Sequence, residues 1–241
     1  MPRVSRLEAE KNRGAIERAS ARLFRERGLR ASLKQVMGAA GLTHGGFYGH
    51  FRSKDELVAA ACAAAFAGSV GRWRRRAAGA ANRRAARAAL VEGYLAPRNR
   101  RSVGTGCPLC SLATDVAREA EDMPVRRAFR EGLEGLLGIL AQVQPRGTRR
   151  RRERALAQLS ALVGAMLLAR ATSGSVLSQE ILRAARRSLL AGAKAARVRP
   201  TARVRPAASV RPAARVRPAA SVRPAARAPS AGARAAAKAI A

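Results

Sequence analysis

Residues 33–54, LKQVMGAAGLTHGGFYGHFRSK, constrain the fold more than any other stretch of the chain. Leu33, Val36, Met37 and Ala40 recur at i, i+3, i+4 and i+7, which places one apolar stripe on a short helix. Ser32 precedes it and Gln35 follows three residues later, the spacing of a capping box. Gly41 ends the helix as a glycine that tolerates a left-handed backbone. Thr43 is then placed to cap a second helix running to about Phe51. Ser53 with Glu56 opens a third. Such a succession predicts a helix-turn-helix with the next helix attached.

The second helix carries Gly45, Gly46 and Gly49. Each costs about 0.5–1 kcal/mol against alanine in a helix interior. Leu42, Phe47 and Phe51 must therefore anchor it to its neighbours. The glycines strip one face to backbone, and Thr43, His44, Tyr48 and His50 stand between them as hydrogen-bonding groups. Lys54 sits at the start of the following helix, where main-chain N–H groups favour an anion. A bare polar face beside a phosphate-binding corner suits a helix lying in the major groove of DNA.

The segment GLTHGGFYGHFRSKDELVAAA resembles the signature of the TetR family of bacterial one-component regulators. The shared features are a small residue, glycine, Tyr48, His50, a following phenylalanine and Lys54. The resemblance is strong over residues 7–67 and weaker over a helical regulatory region to about residue 195. Gly45-Gly46 departs from the Gly-Thr or Ser-Thr common in the family, and Phe47 replaces a more usual leucine or isoleucine. The resemblance implies a homodimeric regulator of transcription, a repressor bound to a palindromic operator in double-stranded DNA. It also implies an unidentified small-molecule effector in the second domain, at residues the sequence leaves unknown. Thr43, His44, Gly45 and Tyr48 would lie against the groove, and His50 and Lys54 would set phosphate register.

Charge is compatible with that reading but less specific. The chain of 241 residues has a formal net charge of +33. No Asp or Glu follows Glu180, whereas 15 Lys and Arg do, leaving +18 to residues 1–180. A surplus of this size attracts polyanions without reading sequence, so a charge-driven nucleoid or architectural protein is the alternative. Three cysteines and an N-terminus without an apolar core of a signal peptide point to the reducing cytoplasm. The longest apolar run, residues 155–171, is broken by Gln158, Ser160 and Arg170 and reads as too short and polar to span a membrane.

The rest of the chain reads as all-α. Residues 7–28 form a first helix with Ile16, Ala19, Leu23 and Phe24 inward and Arg13, Arg18 and Arg22 toward solvent. The third helix continues from Lys54 to the Trp73 region. Residues 74–87 read as a loop or short turn, a helix through Leu90 and Leu95 stops at Pro97, and residues 98–106 read as a loop. Leu109, Leu112, Ala113, Val116 and Ala117 then face a core, followed by a stripe from Phe129 to Leu140 and a turn from Pro145. Helices at residues 149–171 and from Ser178 follow. They resemble the pair with which TetR-family subunits build a dimer interface, ordinary core helices being the alternative. The resemblance implies a regulatory and dimerisation domain over 68–195. From residue 196 a six-residue repeat with Pro200, Pro206, Pro212, Pro218 and Pro224 predicts a disordered basic tail.

Chemistry-bearing motifs are few. Cys107-Pro-Leu-Cys110 places two thiols at a helix start, with Pro108 at the first helical position. Amides there favour a thiolate, so Cys107 attacking and Cys110 resolving would make a redox sensor, or more weakly a thiol oxidoreductase. Two small residues packing at a helix start are the plainer alternative, with Cys107 the more accessible. A zinc site would need two more ligands, and Cys62 reads as a core residue, so no metal or cofactor is expected. No catalytic set, phosphate-binding loop or dinucleotide fingerprint occurs, which argues against an enzyme.

Overall fold

The computed structural model describes residues 5–145 and 150–191, and no strand occurs among them. The Pro-rich repeat from residue 196 and most of the turn after Pro145 lie outside the described residues. Helix α1 (Arg6–Arg27) is capped by Ser5, whose hydroxyl accepts from the Glu8 amide, and ends at Gly28 with φ 81°. Ile16, Leu23 and Phe24 are buried as the periodicity predicts, while Ala19 is only half-buried. Helix α2 (Leu33–Ala39) carries the complete Ser32–Gln35 capping box. Gly41, at φ 73°, makes the turn that follows.

The predicted second helix of the motif is a 3₁₀ segment, His44–Gly49. Its bonds run mainly from residue i+3 to i, as from the Gly46 amide to the Thr43 carbonyl at 3.1 Å. Three glycines among six residues lack the propensity to hold an α-helix, and short 3₁₀ turns tolerate that deficit. Thr43 precedes the segment but makes no side-chain capping bond, contrary to expectation.

Helix α3 (Lys54–Ala78) is capped by Ser53 and extends past Trp73 through the Arg/Ala-rich run. Helix α4 (Arg83–Tyr94) starts at Asn82, whose side chain accepts from the Ala85 amide. The loop predicted over 74–87 thus shrinks to residues 79–82, because alanine and arginine are strong helix formers and only Gly79 breaks them. Pro97 likewise does not stop a helix but starts one, at the first turn of α5 (Pro97–Arg101). The predicted loop is therefore confined to residues 102–107.

Helices α6 (Pro108–Arg118), α7 (Pro124–Gln142), α8 (Arg151–Ala171) and α9 (Val176–Ala191) complete the body. Helix α3 is its axis, packing along α7 on one side and α1 on the other. Phe66 of α3 meets Phe129 of α7 edge-on at 5.2 Å. Ala117, expected inward on α6, is exposed. Among the described residues, helix α8 alone is long and apolar enough to cross a membrane by length and composition. It nonetheless packs against α6, α7 and α9, burying Ala155, Leu159, Leu162, Met166 and Ala169.

Candidate nucleic-acid interface

The 3₁₀ segment sorts its side chains by face. Phe47 is fully buried and Phe51 nearly so, their rings stacked at 5.8 Å. Leu42 is half-buried beside them. Thr43, His44, Gly45, Gly46, Tyr48 and Gly49 all face outward. Tyr48 is 70% exposed, its ring held edge-on to Phe47 at 5.1 Å while its hydroxyl has no partner among the described residues. An aromatic residue fixed at its base and free at its tip is prepared to contact another molecule.

The glycines are informative for what surrounds them. Its chain neighbours aside, a Cβ at Gly45 or Gly49 would meet no atom of the described residues within 4 Å. Neither has the positive φ that would demand glycine. Nothing in the fold therefore requires glycine at these positions, and the surface they leave is bare backbone. A partner surface approaching that backbone would account for both.

His50 and Lys54 flank this surface in different ways. His50 is half-buried just after the 3₁₀ segment, and its carbonyl accepts a hydrogen bond from Arg13. Lys54 opens α3 and is half-buried. The corner is not purely cationic, since Asp55 and Glu56 occupy the same first turn.

Arg13 is the residue that sequence reasoning misplaced. Predicted to face solvent, it instead ties α1 to the residues that follow the 3₁₀ segment. Its guanidinium lies 4.1 Å from the Phe51 ring centroid and donates to the His50 carbonyl and, at 3.1 Å, to Glu56 Oε1. The other Glu56 oxygen accepts from the Arg52 amide at 2.9 Å. That backbone bond, with Arg13 beside it, holds the Glu56 carboxyl below its ordinary range. One guanidinium thus joins α1, the end of the 3₁₀ segment and the start of α3. A shared Arg, aromatic and carboxylate at positions 13, 51 and 56 was the available signal, but no helical periodicity connects them.

The two thiols lie in the second half of the body, remote in sequence from this surface. Cys107 is the N-terminal boundary residue of α6 with Pro108 following, as predicted, and makes no side-chain capping bond. Both thiols are half-buried, so Cys107 is not the freely accessible member expected of a cap position. The Tyr94 hydroxyl lies 3.0 Å from Cys110 Sγ. Burial works to raise the Cys107 thiol, but hydrogen bonds from Cys110, Tyr94 and the Leu109 and Cys110 amides bring it down to about 7. Cys110 is pushed strongly upward, first by donating to Cys107 and then by burial. Cys62 is a core residue whose thiol burial pushes up to about 12. Among the described residues no cluster of three or more His, Cys, Asp or Glu could hold a metal ion.

Residues 16–61 match the family model described as bacterial regulatory proteins, tetR family. The fold is similar to NemR of E. coli in its reduced form, with TM-score 0.64 and 22% identity over 74% of this chain and 95% of that one. It is also similar to a TetR-family regulator from Cytophaga hutchinsonii, with TM-score 0.65 and 20% identity over 76% and 95%. A third is a TetR regulator from Chloroflexus aurantiacus, with TM-score 0.63 and 22% identity over 76% and 94%. No curated protein matches the chain by sequence.

Proposed function

We propose that the chain is a tetR-family regulator, as the family-model match at residues 16–61 supports, and that it is a ligand-responsive, non-enzymatic repressor acting in the cytoplasm as a homodimer on a palindromic operator. The observation that carries this reading is the 3₁₀ segment, which buries Phe47 and turns Thr43, His44, Gly45 and Tyr48 outward together. Those four read the groove, while His50 and Lys54 set the register on phosphates. Two reading heads bind one duplex only if their separation matches the half-site spacing. An effector that favours a different tilt of α3 shifts that separation and releases DNA.

The dimer reading is supported by the outer face of α8. Leu156, Leu167 and Leu168 are 42%, 44% and 56% exposed, and Val176 and Leu177 at the start of α9 are more than half exposed. Leu156, Ser160, Gly164, Leu167 and Ala171 recur at helical spacing on one stripe. Its own helix backbone aside, a Cβ at Gly164 would meet nothing within 4 Å among the described residues. An apolar stripe with a small residue at its centre fits the same stripe on a second copy about a twofold axis.

The charge of +33 favours a second reading, a non-specific architectural protein. One experiment separates them. Protein and the Tyr48→Ala variant are titrated with DNA flanking the coding region and with random DNA at fixed salt. The repressor reading expects a protected inverted repeat, and a loss of about 1–3 kcal/mol in specific binding for the variant with little change on random DNA. Equal losses on both, or no preferred site, overturn it in favour of the architectural protein.

A further inference from the structure

A cavity of about 380 Å³ lies between α3, the α4–α5 corner, the loop before α6 and the end of α8. Ser69, Arg72, Trp73 and Arg76 face it from α3 at i, i+3, i+4 and i+7, so one face of a single helix forms one wall. Arg98 enters from α5 and Arg170 from α8. Four guanidiniums therefore line one chamber, and no Asp or Glu does. None of the four takes part in a described ion pair.

Their hydrogen bonds leave capacity unused. Arg170 donates to Ser111 Oγ at 3.3 Å and to the Asn99 carbonyl at 3.0 Å, but its buried Nε has no partner. Arg72 donates to Ser69 Oγ and the Thr105 carbonyl. The Arg76 and Arg98 side chains make no described hydrogen bond. Burial lowers the Arg72 pKa; the Cys107 thiolate opposes that shift, and Arg75 and Arg76 add to it. Four guanidiniums thus face no carboxylate and at most the one thiolate. Apolar surface comes from Trp73 on the α3 wall, which Tyr94 meets edge-on at 5.9 Å, and from Met166 of α8.

We propose that this cavity is the effector site and that the effector is a small organic anion, a carboxylate on a flat apolar body. Guanidinium forks match a carboxylate with paired N–H donors, and the aromatic wall takes the ring. The size suits a compact ligand, at the lower end of small-molecule pockets. The larger depression lined by Arg74, Arg83, Glu134 and Ile139 is more open and contains an acid, so it lacks this selectivity. Assignment as an effector site rests on the repressor reading, whereas anion binding is a property of the cavity itself.

The test uses the full chain and benzoate as probe, with benzyl alcohol and benzylamine as neutral and cationic counterparts at constant ionic strength. Trp73 is the sole tryptophan in the sequence, so intrinsic fluorescence reports on the cavity directly. Benzoate is expected to change Trp73 emission saturably, and the two counterparts are not. The double variant Arg76→Gln/Arg98→Gln, which removes no described side-chain bond, is expected to weaken benzoate about tenfold or more. A second reading comes from Cys107, which lines the same chamber. Its alkylation should favour anionic iodoacetate over neutral iodoacetamide, relative to free cysteine, and benzoate should slow it. Equal binding of benzoate and benzyl alcohol, no saturable response to benzoate, or unchanged benzoate affinity in the double variant would overturn the proposal. Failure of the repressor reading looks different: no DNA is then preferred, with or without benzoate.

Discussion

Asp115 of α6 accepts a hydrogen bond on Oδ2 from the Leu29 amide at 3.0 Å, tying the regulatory body to the end of α1 across 86 residues. Gly28 makes room for this contact, because at φ 81° a Cβ there would stand 2.6 Å from the same oxygen. Arg25 adds a second tie, donating to the Gly106 carbonyl at 3.3 Å. The loop and helix beside the cavity are thus bonded directly to the first helix of the reading head. Asp115→Ala leaves the Leu29 amide without its partner and is expected to cost about 1–3 kcal/mol. Asp115→Asn, which keeps an acceptor oxygen, should recover much of it. Thermal unfolding checks both, and equal losses in the two variants would show that the contact is not a hydrogen bond of consequence.

Arg13 gives a prediction with a pH signature. Arg13→Ala removes the stem over Phe51, the bond to the His50 carbonyl and the pair with Glu56. It is expected to loosen the reading head and weaken operator binding more than it lowers global stability. Glu56 has a folded pKa held below its ordinary value of 4.5. Its contribution to stability is therefore complete above that value and is lost as pH falls through the folded pKa. Removing Arg13 removes part of the depression, the Arg52 amide retaining the rest. The variant's stability should then fall less steeply than wild type below about pH 4.5. Parallel acid denaturation curves for the two proteins would contradict this account.

Much of the fold was legible because its signals are local. The capping box at Ser32, the serine cap at Ser53, the glycines at 28 and 41 and the stripe of α2 each act within one turn, and the structure has them. The box expected at Ser53 forms only in half, because Glu56 accepts from the Arg52 amide instead. Errors arose where a local signal had two meanings. Pro97 could end one helix or begin another, and it begins α5. The glycine deficit of the reading segment was visible, yet its outcome, a 3₁₀ segment rather than an α-helix, depends on Phe47 and Phe51 packing against distant elements. Arg13 was hidden for a related reason. Periodicity places it off the apolar stripe of α1, but its partners lie 37 and 43 residues away. The cavity was obscured because Arg72 and Arg76 belong to a basic run that composition alone reads as solvated surface.

The outer stripe of α8 predicts an assembly. Leu168→Glu places a charge on an apolar face and should leave the monomer folded, since Leu168 is 56% exposed in the single chain. Light scattering is expected to give about twice 25.5 kDa for wild type and one chain for the variant. Operator affinity should fall as the dimer is lost, because each head then binds alone. A variant still dimeric at the same concentration would place the interface elsewhere.

The cysteine pair supplies a prediction in which geometry decides between reactivity and packing. Cys107 carries the lower pKa, about 7, because Cys110, Tyr94 and two α6 amides stabilise its thiolate against the opposing effect of burial. Cys110 keeps its proton, since it donates toward Cys107 and is itself buried. Alkylation should therefore mark Cys107 with a rate that rises through about pH 7 and should leave Cys110 almost untouched. In Cys110→Ala the donor is lost, so the midpoint for Cys107 should move upward while operator binding is retained. Mass mapping after alkylation across a pH series reads the first, and DNA titration the second. Rapid labelling of both thiols, with DNA released as it proceeds, would contradict the packing account of Cys110 and make the pair a thiol switch.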